Sequence, residues 1–241
     1  MARERLPGWM LALALAAMPS LGWSGVLSNF TAIYQVERDS TPLGSARFTL
    51  SPQGENCYLY HGVAKPEGLA ALLTGETVEQ SHFCIIGGKI RPVSYKTREN
   101  SSKGDNFSLK FDWINRVVRT DEAEPRKLSA DGVDPLSLQI ALRKLLSDAG
   151  GTLPVQPIDL IVIEDDKEKN YSFRVSGREI LATSIGKLEV VRLDRIDDSK
   201  RQLRLWMAPS LDYLPVQVER QRSKGAITRL KIETLPDSPV D

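Results

Sequence analysis

The chain has 241 residues, of which 41% are hydrophobic and 26% are charged. This length and composition are typical of a soluble globular protein with one large β domain or two small domains. The formal net charge is only +1. Nucleic acid is therefore not predicted as the main partner, because binding to its backbone requires clustered positive charge.

The first 24 residues are predicted to be a secretory signal peptide. Arg3 and Arg5 precede an uncharged apolar run from Trp9 to Met18, and a proline and small residues follow. This order is typical of a cleavable leader, and the run is shorter than the ~20 residues that span a bilayer. The alternative is an uncleaved membrane anchor. We expect cleavage after Gly22 or Ser24, a periplasmic location, and no transmembrane span in the mature chain.

Alternation of apolar and polar residues dominates the mature chain and predicts an antiparallel β-sheet. The clearest stripes lie at every second residue over Phe30–Val36, Gly44–Leu50, Cys57–Val63 and Phe107–Trp113; later strands are predicted over 158–164, 171–176, 179–183, 188–196, 202–207, 214–219 and 227–232. Short polar loops between the later strands predict a meander. A meander this long must close into a barrel or curl over a helix, because a flat sheet would leave long exposed edges.

The chain contains two cysteines, Cys57 and Cys84, and both lie in segments that read as strands. In an oxidising compartment such a pair is a disulfide candidate. The alternative is two buried free thiols in separate strands.

One helix is predicted from Pro135 to Asp148. Asp134 is a favourable N-cap, Pro135 suits the first helical position, and leucines recur at helical spacing before Gly150. A shorter helix is predicted from Pro66 to Leu73.

The predicted fold is mainly β. It is an antiparallel meander that forms a curved sheet or a partly open β-barrel, with one or two short helices packed at its opening. We predict a single β-rich domain over residues 25–234 and a disordered tail over 235–241.

Several short motifs, in this order along the chain, resemble those of the domain-of-unknown-function 3108 family of exported bacterial proteins. The motifs lie at Phe30–Tyr34, Phe111–Trp113, Gly132–Ser137, Gly177–Gly186, Leu205–Pro209 and Tyr213–Val216. The resemblance spans nearly the whole mature chain. It implies a predominantly antiparallel β fold, curved or barrel-like, and it brings no catalytic residues.

Motifs for catalysis or metal binding are missing from the sequence. The two histidines, His61 and His82, do not form a His-Glu-x-x-His motif, and neither a nucleophile elbow nor a phosphate-binding glycine loop occurs in the mature chain. The acidic run Glu164–Asp166 lacks the spacing of a calcium loop and is interpreted as a solvated hairpin tip. We therefore predict no catalytic residue, no metal site and no cofactor.

Four residues in the resembling motifs are candidates for a ligand site: Asp112, Trp113, Glu179 and Trp206. Each also has a structural interpretation. Asp112 would cap the turn at Asn115. Glu179 would pair with an arginine of a neighbouring strand, and Trp206 would anchor the core. In the functional interpretation, Glu179 and Trp206 lie at the mouth of a ligand cavity.

Arginine is dense between Arg192 and Arg229. If alternate arginines share one face of the sheet, that face attracts phosphate or an acidic polymer. A solvated outer face of the sheet is the alternative explanation.

Three functional hypotheses follow. The leading one is a non-enzymatic periplasmic carrier of lipid or of another apolar or amphipathic envelope molecule, held in a cavity of the curved sheet. The second is an envelope scaffold or assembly factor that binds another, unidentified protein through a sheet edge or an apolar patch. The third is a cell-wall hydrolase that uses Asp112, Glu179 or another carboxylate, with a raised pKa and in a cleft, as acid or base.

Overall fold

The computed structural model describes residues 27–235 except 73, 102–105, 122–123, 199 and 223–224. The predicted signal peptide and residues 236–241 of the predicted tail lie outside the described residues. No helix within the described part is long and apolar enough to cross a membrane.

Within these residues, fifteen strands form one curved, unclosed sheet. The strands are β1 (Phe30–Arg38), β2 (Thr41–Pro52), β3 (Cys57–Pro66), β4 (Thr77–Ile86), β5 (Lys89–Glu99), β6 (Phe107–Asp112), β7 (Val117–Thr120), β8 (Arg126–Lys127), β9 (Gly132–Val133), β10 (Ile158–Ile163), β11 (Glu168–Thr183), β12 (Gly186–Arg195), β13 (Arg201–Ala208), β14 (Leu214–Arg222) and β15 (Ile227–Thr234). The helix α1 spans Ser137–Asp148, and 3-10 turns lie at Gly68–Leu72 and Pro209–Leu211. The mainly β fold predicted from the alternation is confirmed.

The sheet begins and ends at very short strands. Its order is β8-β7-β6-β5-β4-β3-β2-β1-β15-β14-β13-β12-β11-β10-β9, so the first and last strands of the chain pair in its middle. Neighbours are antiparallel except β9 and β10. The Arg126 guanidinium at one end donates to the carbonyls of Glu164 and Asp165 at the other, at 2.8 and 2.6 Å. These two-residue strands leave little backbone for pairing with another chain, whereas residues 174–183 of β11 extend beyond β10 and pair only with β12.

The helix α1 lies within the main hydrophobic core. Its core residues are Leu138, Ile140, Ala141, Leu142 and Leu146. The regular helix begins at Ser137, two residues later than predicted, because residues 134–136 form a turn. Asp134 caps that turn: its Oδ1 accepts from the backbone N–H groups of Leu136 and Ser137 at 2.9 and 2.8 Å. A second, smaller core cluster includes Tyr34 and Trp206.

The buried face of β3 is the one opposite the Cys57–Val63 stripe. Tyr58, Tyr60 and Gly62 are buried there, and Tyr58 stacks on Phe83 with the ring centroids 5.6 Å apart. A Cβ at position 62 would stand 2.6 Å from the ring of Phe48, so only glycine lets that ring pack against β3. On the other face, Cys57 and Cys84 are direct cross-strand partners and form a disulfide.

Two local predictions differ from the structure. The segment from Pro66 to Leu73 contains a 3-10 turn over Gly68–Leu72 instead of an α-helix. The two strands predicted over 171–176 and 179–183 are one strand, β11. Its pairing with β12 shifts by one residue at a bulge between Val175 and Gly177, and the positive φ of Gly177 (132°) permits that bulge.

Candidate functional site

Asp112 and Trp113 stabilise the turn between β6 and β7. The Asp112 carboxylate accepts from the backbone N–H and the side-chain amide of Asn115, at 2.9 and 2.8 Å. These bonds lower the pKa of Asp112. The Trp113 indole N–H donates to the Pro92 carbonyl at 2.7 Å. These contacts of Asp112 are those of a turn cap.

Glu179 and Trp206 contact each other across β12. The Trp206 indole N–H donates to the Glu179 carboxylate, and Trp206 is only 8% exposed. The expected pairing of Glu179 with an arginine is wrong. Glu179 lies opposite Val190, beyond the bulge of β11. Arg192, which lies opposite Gly177 at that bulge, pairs with Asp194 at 3.2 Å.

None of the four candidate residues lines any of three prominent pockets in the described part of the chain. Glu179 and Trp206 were predicted at the mouth of a ligand cavity, and the structure places them in contact with each other, with Trp206 buried and Glu179 exposed. The arginine-rich strands instead provide the candidate site.

One face of these strands carries a charge ladder, which we define as Asp194, Arg204, Glu219, Arg229 and Glu37. These residues are successive cross-strand neighbours on β12, β13, β14, β15 and β1. Both arginines bind the central Glu219, Arg204 Nη1 at 3.1 Å and Arg229 Nε at 2.5 Å. The hydrogen bond and charge of Glu219 raise the pKa of Arg229.

Each of the two buried ladder carboxylates, Glu37 and Glu219, is matched by nearby cations. Glu37 is 4% exposed and Glu219 is 8% exposed, so each carboxylate needs a cation nearby to offset the loss of hydration. Arg229 Nη1 lies 3.6 Å from the Glu37 carboxylate, and Lys231 Nζ lies 2.7 Å from it. Alternating charges along five strands therefore leave no uncompensated arginine in the ladder.

The opposite face of the same strands ends in an arginine groove of about 570 Å³. We define the groove by its lining residues: Arg38, Tyr171, Arg195, Arg201, Gln202, Leu203, Arg220, Gln221, Arg222, Gly225, Ala226 and Thr228. Five of these are arginines, and none is Asp or Glu among the described residues.

The groove continues the core face to the end of the strands. One cross-strand row of the core consists of Leu205, Val218, Leu230 and Val36. Two residues further along each strand, the row consists of Leu203, Arg220, Thr228 and Arg38. Because side chains alternate between faces with a period of two, both rows lie on the same face. The groove is therefore the point at which an apolar face becomes a basic one.

Arg195 forms a fixed wall of the groove. Its guanidinium lies 3.5 Å from the centroid of the Tyr171 ring, and its Nε donates to Asp197 Oδ1 at 2.9 Å. Stacking and the ion pair together hold this arginine in one orientation and neutralise it.

The other four arginines of the groove have no ion pair within the part of the chain that the structure describes. They are Arg38, Arg201, Arg220 and Arg222. Arg201 lies directly opposite Arg222, an arrangement of like charges that disfavours the folded sheet. A bound anion would remove that repulsion.

Asp134 is the buried carboxylate of greatest chemical interest outside the ladder. Its Oδ2 accepts from the Ser81 and Ser137 hydroxyls at 2.6 and 2.7 Å. Burial raises its pKa to about 6. It lines none of the three pockets, so its position suits helix capping. No cluster of metal-ligating side chains occurs among the described residues.

The sequence predicted only part of this groove. The arginine-dense segment between Arg192 and Arg229 contains four of its arginines, which are Arg195, Arg201, Arg220 and Arg222. Arg38 and Tyr171 were missed. Arg38 reaches the groove because β1 pairs with β15, almost two hundred residues later in the chain, and no local pattern predicts such a pairing.

Comparison with known proteins is consistent with this fold. The profile of a family described as protein of unknown function (DUF3108) matches residues 29–232. The chain is similar to a solved β-barrel-like protein of domain of unknown function DUF1849 from Brucella abortus, with a TM-score of 0.56 and 14% identity over 87% of this chain and 97% of that one. At this identity the likeness supports the fold alone. No curated protein matches the sequence.

Proposed function

Because the chain belongs to the DUF3108 family, which has no assigned function, we propose from the site itself that the protein is an exported, non-enzymatic carrier of an amphipathic envelope molecule. The arginine groove would bind the acidic head of that molecule. Its apolar part would lie against the adjoining end of the core face.

The observation that carries this proposal is the mixed lining of the groove. Leu203, Ala226 and the ring of Tyr171 lie among the guanidinium groups. A small polar anion would leave these apolar groups in contact with water, whereas an amphipathic molecule would cover them and gain ~25 cal/mol per Å² of buried apolar surface.

The proposed export has two supports. One is the predicted leader, with its charged start and short apolar run. The other is the bond between Cys57 and Cys84, because disulfides persist in oxidising compartments such as the periplasm.

The two other hypotheses have less support in the described residues. A scaffold would use a long open edge. Both terminal strands of the sheet have only two residues, which leaves residues 174–183 of β11, beyond the end of β10, as the stretch that could serve. A hydrolase would place a carboxylate of raised pKa in a cleft. The raised pKa of Asp134 occurs in an enclosed site, and the pKa of Asp121, which lines two pockets, is lowered by its bond to Ser108.

Native mass spectrometry of the protein purified gently from the periplasm tests the proposal. The full chain is expressed, and a parallel organic extract of the purified protein is examined for lipids. We expect a mature mass that begins at Trp23 or Gly25, with a stoichiometric adduct. The same sample in denaturing solvent is the control and should show the bare mature chain.

An uncleaved chain that stays in the cytoplasm would contradict the proposed export. A bare native mass, even after incubation with an envelope lipid extract, would contradict the carrier function.

A further inference from the structure

We infer that the arginine groove recognises a phosphate-class group with at least two negative charges, held by Arg38, Arg201, Arg220 and Arg222. This inference deepens the proposed function, on which it rests for the apolar part of the ligand. The chemistry is shared by the phosphate head of a lipid and by a soluble phosphate compound.

Like charges are placed close together in the groove. Arg201 and Arg222 are direct cross-strand partners, and Arg220 is the next residue of β14 on the same face. Arg38 follows two strands further in the row of Arg220. Cross-strand partners lie only about 4.5–5.5 Å apart at their Cα atoms, so four positive side chains converge on one groove.

The cross-strand neighbours of the groove arginines differ from those of the ladder arginines. On the opposite face, the same strands place a carboxylate beside each arginine: Glu219 lies between Arg204 and Arg229. In the groove, the corresponding neighbours of Arg220 are Leu203 and Thr228. In the ladder, carboxylates offset the repulsion between arginines. In the groove, that repulsion persists until an anionic ligand binds.

The number and geometry of the guanidinium donors in the groove favour a phosphate group over a carboxylate. A guanidinium presents a planar pair of N–H groups that fits two oxygens of a phosphate or a carboxylate. One carboxylate carries a single charge and has too few oxygens for four guanidinium groups. A phosphate monoester or a diphosphate offers at least three oxygens and about two charges at neutral pH, and the hydroxyl of Thr228 in the same row can donate a further hydrogen bond.

Arg195 does not belong to this set. Its charge is already matched by Asp197, and its guanidinium is fixed on Tyr171. It contributes a rigid wall.

Calorimetric titration of the mature protein with sodium pyrophosphate at ~0.15 M ionic strength tests the inference. The variant Arg220→Gln/Arg222→Gln removes two groove charges. The matched control, Arg47→Gln/Arg119→Gln, removes two charges from exposed strand arginines outside the groove. We expect the dissociation constant for pyrophosphate to rise at least about tenfold in the groove variant and to stay within about twofold in the control.

Flotation with vesicles identifies the source of the phosphate. Phosphatidylcholine vesicles with and without phosphatidic acid are compared, with the same two variants. Groove-dependent binding of both pyrophosphate and phosphatidic acid supports a lipid head, and groove-dependent binding of pyrophosphate alone supports a soluble phosphate compound.

The inference is overturned if the wild-type protein does not bind pyrophosphate, or if both double variants bind it equally well. A co-purified amphiphile together with either of those results leaves the carrier function standing without the phosphate site. Groove-dependent pyrophosphate binding without any amphiphile leaves the phosphate site standing and contradicts the carrier function.

Discussion

The charge ladder and the arginine groove lie on opposite faces of the same five-strand region, and they treat positive charge in opposite ways. In the ladder, Glu219 binds Arg204 and Arg229, and the carboxylate is nearly buried. In the groove, Arg201 faces Arg222, and the described lining residues include no carboxylate. A net charge of +1 for the whole chain is therefore compatible with a local excess of positive charge in the groove. Neighbouring residues of a strand point to opposite faces, so an arginine one residue further along lies on the other face.

We expect the largest change in the free energy of unfolding when the central ladder carboxylate is removed. In Glu219→Gln, Arg204 and Arg229 would both lose the carboxylate between them and keep only the more distant Asp194 and Glu37, at 4.0 and 3.6 Å. We expect the free energy of unfolding in urea to fall by about 3 kcal/mol, at the lower end for a broken buried pair because both arginines retain some hydration. Glu233→Gln, an exposed glutamate at the end of β15, is the control and should change it by less than about 0.5 kcal/mol. Equal effects would mean that the ladder does not stabilise the sheet.

Asp134 differs from the ladder carboxylates, because it is buried and bonded to hydroxyl and amide groups instead of arginines. Its pKa of about 6 lies above the ordinary 3.8, so over that interval the folded chain retains a proton that the unfolded chain has lost. The free energy of unfolding should therefore fall, by about 2 kcal/mol, as the pH rises from 4 to 6.

The variant Asp134→Asn should lose this contribution and keep the capping bonds made through Oδ1. Urea unfolding at several pH values would measure the difference from the wild type. Asp165→Asn, at an exposed hairpin position, should leave the pH dependence unchanged. A slope that persists in Asp134→Asn would show that another group titrates.

The smallest expected effect has the opposite sign. In Arg201→Gln, a cross-strand repulsion in the groove disappears, so the ligand-free protein at low salt should become more stable by about 0.5 kcal/mol. The gain should shrink at ~0.5 M salt because exposed charges are screened. Thermal unfolding at the two salt concentrations measures both effects. Destabilisation at low salt would show that Arg201 has a structural partner, and the groove would then resemble the ladder.

Local physics explains why much of the fold was predictable. Side chains alternate along any strand, and the alternation over Phe107–Trp113 and 202–207 predicted β6 and β13 without knowledge of their partners. The start of α1 was predictable to within two residues, because Asp134 caps through contacts only two and three residues away. The short strands β8 and β9 were missed, since two residues carry no periodicity. The strands β5 and β7 were not predicted either, and the alternation of β5 is interrupted where its pairing with β4 shifts register.

The candidate site was predictable only as a composition. The density of arginine between Arg192 and Arg229 is visible in the sequence, and a phosphate-attracting face was one of its two interpretations. Which arginines share a face depends on bulges, such as the one between Trp206 and Met207, and on pairings between distant strands. For the same reason, β3 buries Tyr58 and Tyr60 instead of the Cys57–Val63 stripe.

Elements with a local cause could be predicted from the sequence alone: the alternating strands, the capped helix and the arginine-rich segment. The pairing of β1 with β15, which brings Glu37 to the ladder and Arg38 to the groove, is visible only in the folded chain. Adjacent residues of one strand point to opposite faces, so a single long-range register fixes both sites at once. That register follows from the packing of the whole sheet, which no short stretch of the chain encodes.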